Sequence, residues 1–266
     1  MTNAWSAAVI ALFAWWFFTG AILLIVRRAD AGDLVAHGRN VFLSVPLFAL
    51  GFAGLWISAQ VMTVANAYIA FFSVLLIWGW IELAFLSGII TGPETRPCPE
   101  TLTGYARFAR AWDTISRHEL LLVASLLAVA MIAAHAENTV GFWTYVILFV
   151  ARISAKLNLF FGVPRINTEF VPTPLDHIKS YFRRGPITMA FPIGVTFLSV
   201  TAAIFAERLI SSETHATTVG FSLLTALAVL AALEHWLMVV PLPDAKLWRW
   251  MLPSTPTSRQ DQTNEL

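Results

Sequence analysis

Seven apolar stretches, each about as long as a lipid bilayer's interior is thick, dominate this chain: about residues 5–26, 40–60, 65–91, 118–136, 139–161, 187–207 and 218–240. A hydrocarbon core of about 30 Å takes about 20 apolar residues as a helix. Backbone surrounded by lipid has to satisfy its own hydrogen bonds, so such stretches cross as helices. The pattern predicts an all-α, polytopic membrane helix bundle of about seven spans. Composition agrees, with 58% hydrophobic and only 12% charged residues, against roughly 25% charged in soluble domains. The first stretch lacks a basic segment ahead of it and a small-residue cleavage site, so it reads as a retained span and not a signal peptide.

Orientation follows from lysine and arginine, which accumulate on the cytoplasmic side. With the N-terminus outside, fourteen of the seventeen basic residues fall in inner segments. Arg152 and Lys156 then lie in the inner half of span five, and Arg208 alone lies outside. The expectation is N-out/C-in. Pro46 and Pro192 fall within spans two and six, where a helix accommodates them as kinks. Residues 1–250 read as a single integral membrane domain, surrounded by membrane lipid, and 251–266 as a polar, disordered tail. The net charge of +1 and the lack of a basic tract outside membrane-flanking loops exclude nucleic acid as a partner. Cys98 is the only cysteine, which excludes an intrachain disulfide and a cysteine-based metal site.

Two inner loops carry helical patterns. In TLTGYARFARAWDTISR, Leu102, Tyr105, Phe108, Trp112 and Ile115 recur at helical spacing with arginines mostly off that stripe. This predicts a short amphipathic helix over 99–117, lying on the inner surface or packed over the bundle's mouth. In VPTPLDHIKSYFRR, Thr173 suits an N-cap, with Pro174 at the first helical position.

The chemistry concentrates at one depth. Glu82 lies about 24 Å into span three, Glu234 about 24 Å into span seven, and Arg152 and Lys156 about 20 and 26 Å into span five, at 1.5 Å per residue. His118 and Glu119 open span four at the same boundary, and His235 adjoins Glu234. Below them AKLNLFFGVPRINTEF adds Asn158, Asn167 and Glu169 around a Gly-Val-Pro break. Charge at membrane depth costs about 2.5–3.5 kcal/mol or more at a helix centre, so such groups face the bundle and pair. The candidate site is therefore an inner polar layer of Glu82, His118, Glu119, Arg152, Lys156, Asn158, Asn167, Glu169, Glu234 and His235.

That layer is compatible with ion pairing for structure alone, with a pocket for a pigment or tetrapyrrole held by an imidazole, or with a metal bound by carboxylates and histidines. No Glu-x-x-His pair of the di-iron bundles occurs. Adjacent His118-Glu119 and Glu234-His235 diverge by about 100° on a helix, so each pair is expected to split. On the outer side HAEN (His135 to Asn138) reads as a capped turn into span five. Span seven carries no lysine for a retinal Schiff base. Walker, H-E-x-x-H, G-x-S-x-G and G-x-G-x-x-G motifs do not occur, and no internal repeat points to a transporter.

AWWFFTGAILL, ELAFLSGIITGP with Cys98-Pro99 after it, RHELLL, and above all AKLNLFFGVPRINTEFVPTPLDHIKSYF resemble the PuhE family, the photosynthetic complex assembly protein 2 of phototrophic purple bacteria. The likeness runs over about residues 5 to 250. It implies a multi-pass protein of the bacterial inner (cytoplasmic or intracytoplasmic) membrane whose gene lies near that of the reaction-centre H subunit. The implied role is support of reaction-centre and light-harvesting complex assembly, or modulation of bacteriochlorophyll production. It implies docking of photosynthetic subunits or pigment-synthesis enzymes, more a non-enzymatic role than a catalytic one. The alternative is a membrane enzyme or carrier handling a tetrapyrrole (bacteriochlorophyll or a precursor) through the inner His/Glu layer. The resemblance supplies no catalytic residues.

Overall fold

The computed structural model describes residues 3–32 and 34–241; the expected polar tail at 251–266 lies outside the described residues. Among the described residues seven helices are long and apolar enough to cross a membrane: α1 (Ala4–Asp30), α2 (Leu34–Ala59), α3 (Val64–Leu86), α4 (Gly104–Ala133), α5 (Val140–Phe161), α6 (Ala190–Ile210) and α7 (His215–Leu237). Two 3₁₀ segments, Thr168–Phe170 and Thr173–Tyr181, occupy the α5–α6 connection. Among the described residues the only β pairing is one isolated bridge between Val163 and Arg184. The chain is a multi-pass membrane protein.

The first N–H groups of a helix lack internal acceptors, and side chains supply several of them. Asn3 Oδ1 accepts from the backbone N–H groups of Trp5 (2.7 Å) and Ser6 (3.2 Å). Thr63 accepts from the N–H of Asn66 at 3.1 Å, and Thr214 with Thr217 forms a reciprocal capping box. The HAEN turn caps α5 through its last residue. Asn138 is buried; its Nδ2 donates to the carbonyls of Ser58 (2.9 Å) and Asn66 (3.0 Å), and its Oδ1 accepts from the N–H of Val140. One side chain thereby ties the adjoining ends of α2 and α3 to the start of α5, while His135 and Glu137 stay exposed.

α3 and α7 form the centre. Within their most apolar windows 61% and 50% of residues are buried inside the protein, against 22–28% for the other five helices. α3 packs on α2 and α5, α7 packs on α6, α1 and α5, and the two touch each other. Small residues on the packing partners permit this: on α2, a Cβ at Gly51 or Gly54 would run into the Ser73 to Ile77 turn of α3. The outer helices present Phe42, Leu43, Leu50, Trp56, Phe197 and Ile204 to their surroundings. A surface this apolar suits lipid and not water.

Three local expectations change. The 99–117 segment is not a separate surface helix, because α4 runs unbroken from Gly104 to Ala133, about 45 Å at 1.5 Å per residue. No proline or glycine interrupts 105–133, so the two helical patterns fuse. Tyr105, Phe108 and Trp112 are exposed on its first turns, while Ile115 packs on the cluster of Phe85, Leu175 and Ile178. Pro192 falls in the first turn of α6 and not in its interior, where its missing N–H has no intrahelical acceptor in any case; Pro46 is internal to α2 as expected. Thr173 begins the second 3₁₀ segment without a side-chain cap, the flanking position being Pro172.

Candidate functional site

The apolar helices α3, α4 and α5 place charged residues on facing sides near one end of the bundle. On α3, Glu82 and Phe85 share a face at three-residue spacing, and on α5, Arg152 and Lys156 do so at four. Two like charges so placed repel unless acids face them, and acids do. Arg152 Nη2 donates to Glu82 Oε2 at 2.6 Å, and Lys156 Nζ donates to Glu119 Oε1 of α4.

His118, fully buried, links the two pairs. Lys156 Nζ lies 2.9 Å from its Nδ1. An ammonium has no acceptor lone pair, so Nδ1 accepts and the ring proton of a neutral imidazole sits on Nε2. That nitrogen faces Glu82 Oε1 at 3.6 Å. The order is Arg152, Glu82, His118, Lys156, Glu119, drawn from three helices. Phe85 lies along it: its ring centre is 4.2 Å from that of His118, 5.4 Å from Lys156 Nζ and 5.9 Å from the Arg152 guanidinium carbon. Aromatic faces attract such cations. Adjacent His118 and Glu119 were expected to diverge, yet both reach Lys156. Glutamate's three rotatable bonds swing its carboxylate around the helix to 3.3 Å from His118 Nδ1.

Glu234 and His235 do part. His235 Nδ1 donates to the Ala231 carbonyl at 2.7 Å, which leaves Nε2 to accept from Ser154 Oγ at 3.0 Å. Asn158 Nδ2 extends this inward link to the Ser154 carbonyl (2.9 Å) and more weakly to its hydroxyl (3.5 Å). Both imidazoles therefore have their lone pairs engaged, and neither presents one for axial ligation of a pigment metal. Glu234 and His235 both border a cavity of about 590 Å³, and Glu234 shares a side-chain hydrogen bond with Trp15 of α1.

The cavity is walled by α1, α3, α4, α5, α7 and the α5–α6 connection, mostly by apolar side chains such as Phe18, Trp78, Phe85 and Leu148, with Glu82, Arg152, Lys156, Arg165 and Glu234 as charged members. Its size is typical of small-molecule sites. Asn167 is an exposed residue on its border; Glu169 is exposed and outside it. His177 is half-buried and is not a cavity residue; burial holds its imidazole below the ordinary range. Among the described residues no three His, Cys, Asp or Glu side chains converge as metal ligands would.

The α5–α6 connection closes one end. Gly162, at φ +138°, adopts backbone that other residues avoid and turns the chain out of α5. Val163 N–H then donates to the Arg183 carbonyl (3.2 Å) and Arg183 N–H to that of Leu159 (2.8 Å). Arg107 of α4 donates to the carbonyls of Phe160 (3.3 Å) and Tyr181 (2.6 Å) and stacks on the Phe160 ring. Arg165 donates to the Val240 carbonyl beyond α7. The polar groups after the apolar run satisfy carbonyls that a non-helical segment leaves open.

Sequence reasoning missed Trp15, Phe85, Arg107 and Ser154. Phe85 was legible as the aromatic three residues after a membrane-depth acid. The other three gave no signal, because their partners lie on other helices.

A family model described as "Protein of unknown function (DUF3623)" matches residues 1–259. The chain belongs to that family. A relative from Rhodobacter capsulatus, described as an uncharacterized 30.4 kDa protein in puhA 5'region, is 46% identical over 254 residues, covering 96% of this chain and 93% of its own length. This near-full-length relative is consistent with the PuhE-like resemblance carried by AKLNLFFGVPRINTEF. No solved structure matches the chain.

Proposed function

We propose that this chain is an integral inner-membrane factor, oriented N-out/C-in, that supports assembly of the bacterial photosynthetic complex or sets bacteriochlorophyll production. Its partners are reaction-centre or light-harvesting subunits, or pigment-synthesis enzymes. The observation that carries this is the 46% identical relative in the puhA 5' region, aligned over 96% of the chain. The exposed Tyr105, Phe108 and Trp112 at the start of α4 supply a surface of the aromatic type that partners bury. The test is deletion of the gene in its phototrophic host, followed by membrane absorption spectra during induced growth. Reaction-centre and light-harvesting bands should change and return with a plasmid copy. Unaltered bands would overturn the proposal.

The cavity favours a second reading, in which the protein binds a tetrapyrrole, bacteriochlorophyll or a precursor. The engaged histidines direct that reading to the Glu82, Arg152 and Glu234 end. Gently purified protein would then carry pigment absorption that Glu234→Leu loses, whereas the docking reading expects colourless protein that co-isolates with photosynthetic subunits.

A further inference from the structure

The ion pairs beside the cavity do not balance. Arg152 is taken by Glu82 and Lys156 by Glu119. Glu234 remains: among the described residues it has no ion pair, its hydrogen-bond partner is the uncharged Trp15, and Arg152 acts on it only from a distance. Arg165, which also borders the cavity, is directed to the Val240 carbonyl. A carboxylate at membrane depth with one neutral donor is poorly compensated, and this one faces open volume.

The rest of the wall says what would complete it. Trp15, Phe18, Trp78 and Phe85 line the same space, and aromatic faces attract ammonium groups and the positive edge of N–H bonds. The volume of about 590 Å³ leaves room for an apolar body beyond the polar end. Gly79 keeps part of it clear: a Cβ there would meet only Phe18 Cδ1 at 3.6 Å and Ile22 Cδ1 at 3.7 Å, so a longer side chain would grow into the space.

We propose that the cavity between α1, α3, α5 and α7 binds an apolar molecule that presents a nitrogen-borne hydrogen-bond donor to the Glu234 carboxylate. The donor comes from one of two sources, a protonated amine or a neutral N–H of a ring or amide. An anionic amphiphile is disfavoured, because its head would meet Glu234 while Arg152 and Lys156 are already paired and Arg165 is directed to the Val240 carbonyl. The site is shared with the tetrapyrrole reading, but the inference does not depend on any photosynthetic role. Binding is read on purified protein with synthetic probes, so its failure is distinguishable from an unaltered spectrum in the deletion strain.

The experiment is calorimetric titration of the full chain in detergent micelles with dodecylamine, dodecanamide and lauric acid, with protein-free micelles subtracted. Saturable one-to-one binding of the amine or the amide, with lauric acid at least about tenfold weaker, is the expected result. Glu234→Leu should weaken the bound probe about tenfold or more. Gly79→Leu should do the same by filling the space with Glu234 intact, so the proposal stays testable if the first variant folds poorly. Glu234→Gln separates the sources: loss of the amine assigns a cation, and retention of the amide assigns a neutral N–H. Saturable binding of none of the three probes, equal binding of lauric acid, or unchanged affinity in Gly79→Leu would overturn it.

Discussion

Replacing Arg152 by methionine tests whether the ion pairs hold the helices together or merely coexist with them. At 2.6 Å from Glu82, the gross Coulomb attraction is about 6 kcal/mol at an effective dielectric near 20. Desolvation of several kcal/mol per ion offsets most of it. Removing one partner from a buried pair costs about 3–5 kcal/mol, because the other charge stays behind. Here the cost is smaller. The Arg152 side chain is 32% exposed, and His118 Nε2 lies 3.6 Å from the other Glu82 oxygen, so about 2–3 kcal/mol is expected. The double variant Glu82→Met/Arg152→Met leaves no orphan charge and should lie within about 1 kcal/mol of the parent. Glu82→Met alone should cost about 1 kcal/mol, since the part-exposed Arg152 it leaves behind stays partly solvated; the two single effects less the double then give a coupling of about 2 kcal/mol or more, roughly a thirtyfold change in the folding constant, where 1.4 kcal/mol is tenfold. The assay is unfolding in mixed micelles by increasing sodium dodecyl sulfate, followed by circular dichroism, for the parent, both single variants and the double. Additive single effects would refute the reasoning, since independent sites add and contacting ones do not.

Three further outcomes are expected. A Cβ at Gly194 of α6 would overlap Ser154 Oγ, which His235 holds; Gly194→Ala should cost about 1–3 kcal/mol by overpacking, and adding Ser154→Ala should recover part of it in the same denaturation. Glu94, in the α3–α4 connection, accepts from Arg96 N–H at 2.8 Å and Nε at 3.1 Å and pairs with Arg110 at 2.9 Å, which holds its carboxyl below the ordinary range. Folding lowers this value, so the tether is present above the unfolded value of about 4.3 and is lost as pH falls through the lower folded value. Hydrogen exchange at residues 92–98 should rise over that interval, and a Glu94→Gln protein with the same pH profile would count against it. The lone Cys98, partly buried, should react with a membrane-impermeant maleimide in inside-out vesicles and not in right-side-out ones; the opposite pattern would invert the proposed orientation.

The span count was readable because lipid removes water as a hydrogen-bonding alternative, which leaves length and apolarity as nearly sufficient signals. Glu82, Arg152, Lys156 and Glu234 were readable for the same reason: charge at that depth is rare enough to stand out. Boundaries were less so. Continuous helical propensity fused the 104–117 stretch with α4, and a helix start at Ala190, later than the expected 187, moved Pro192 into the first turn. Glu169 entered the candidate layer by nearness in sequence, yet the turn after Gly162 leaves it exposed.

By itself, then, the sequence determined the all-helical membrane architecture and the residues too costly to leave facing lipid. Tertiary packing alone decided the pairings. Arg152 meets Glu82 across 70 positions and Lys156 meets Glu119 across 37, while Glu234 turns to Trp15 and open space. One-dimensional spacing fixes the face of a helix on which a charge sits. Which neighbour it meets depends on how helices rotate and approach, and that is set by small residues such as Gly51, Gly54 and Gly194, where the facing helix sits so close that an added Cβ would strike it.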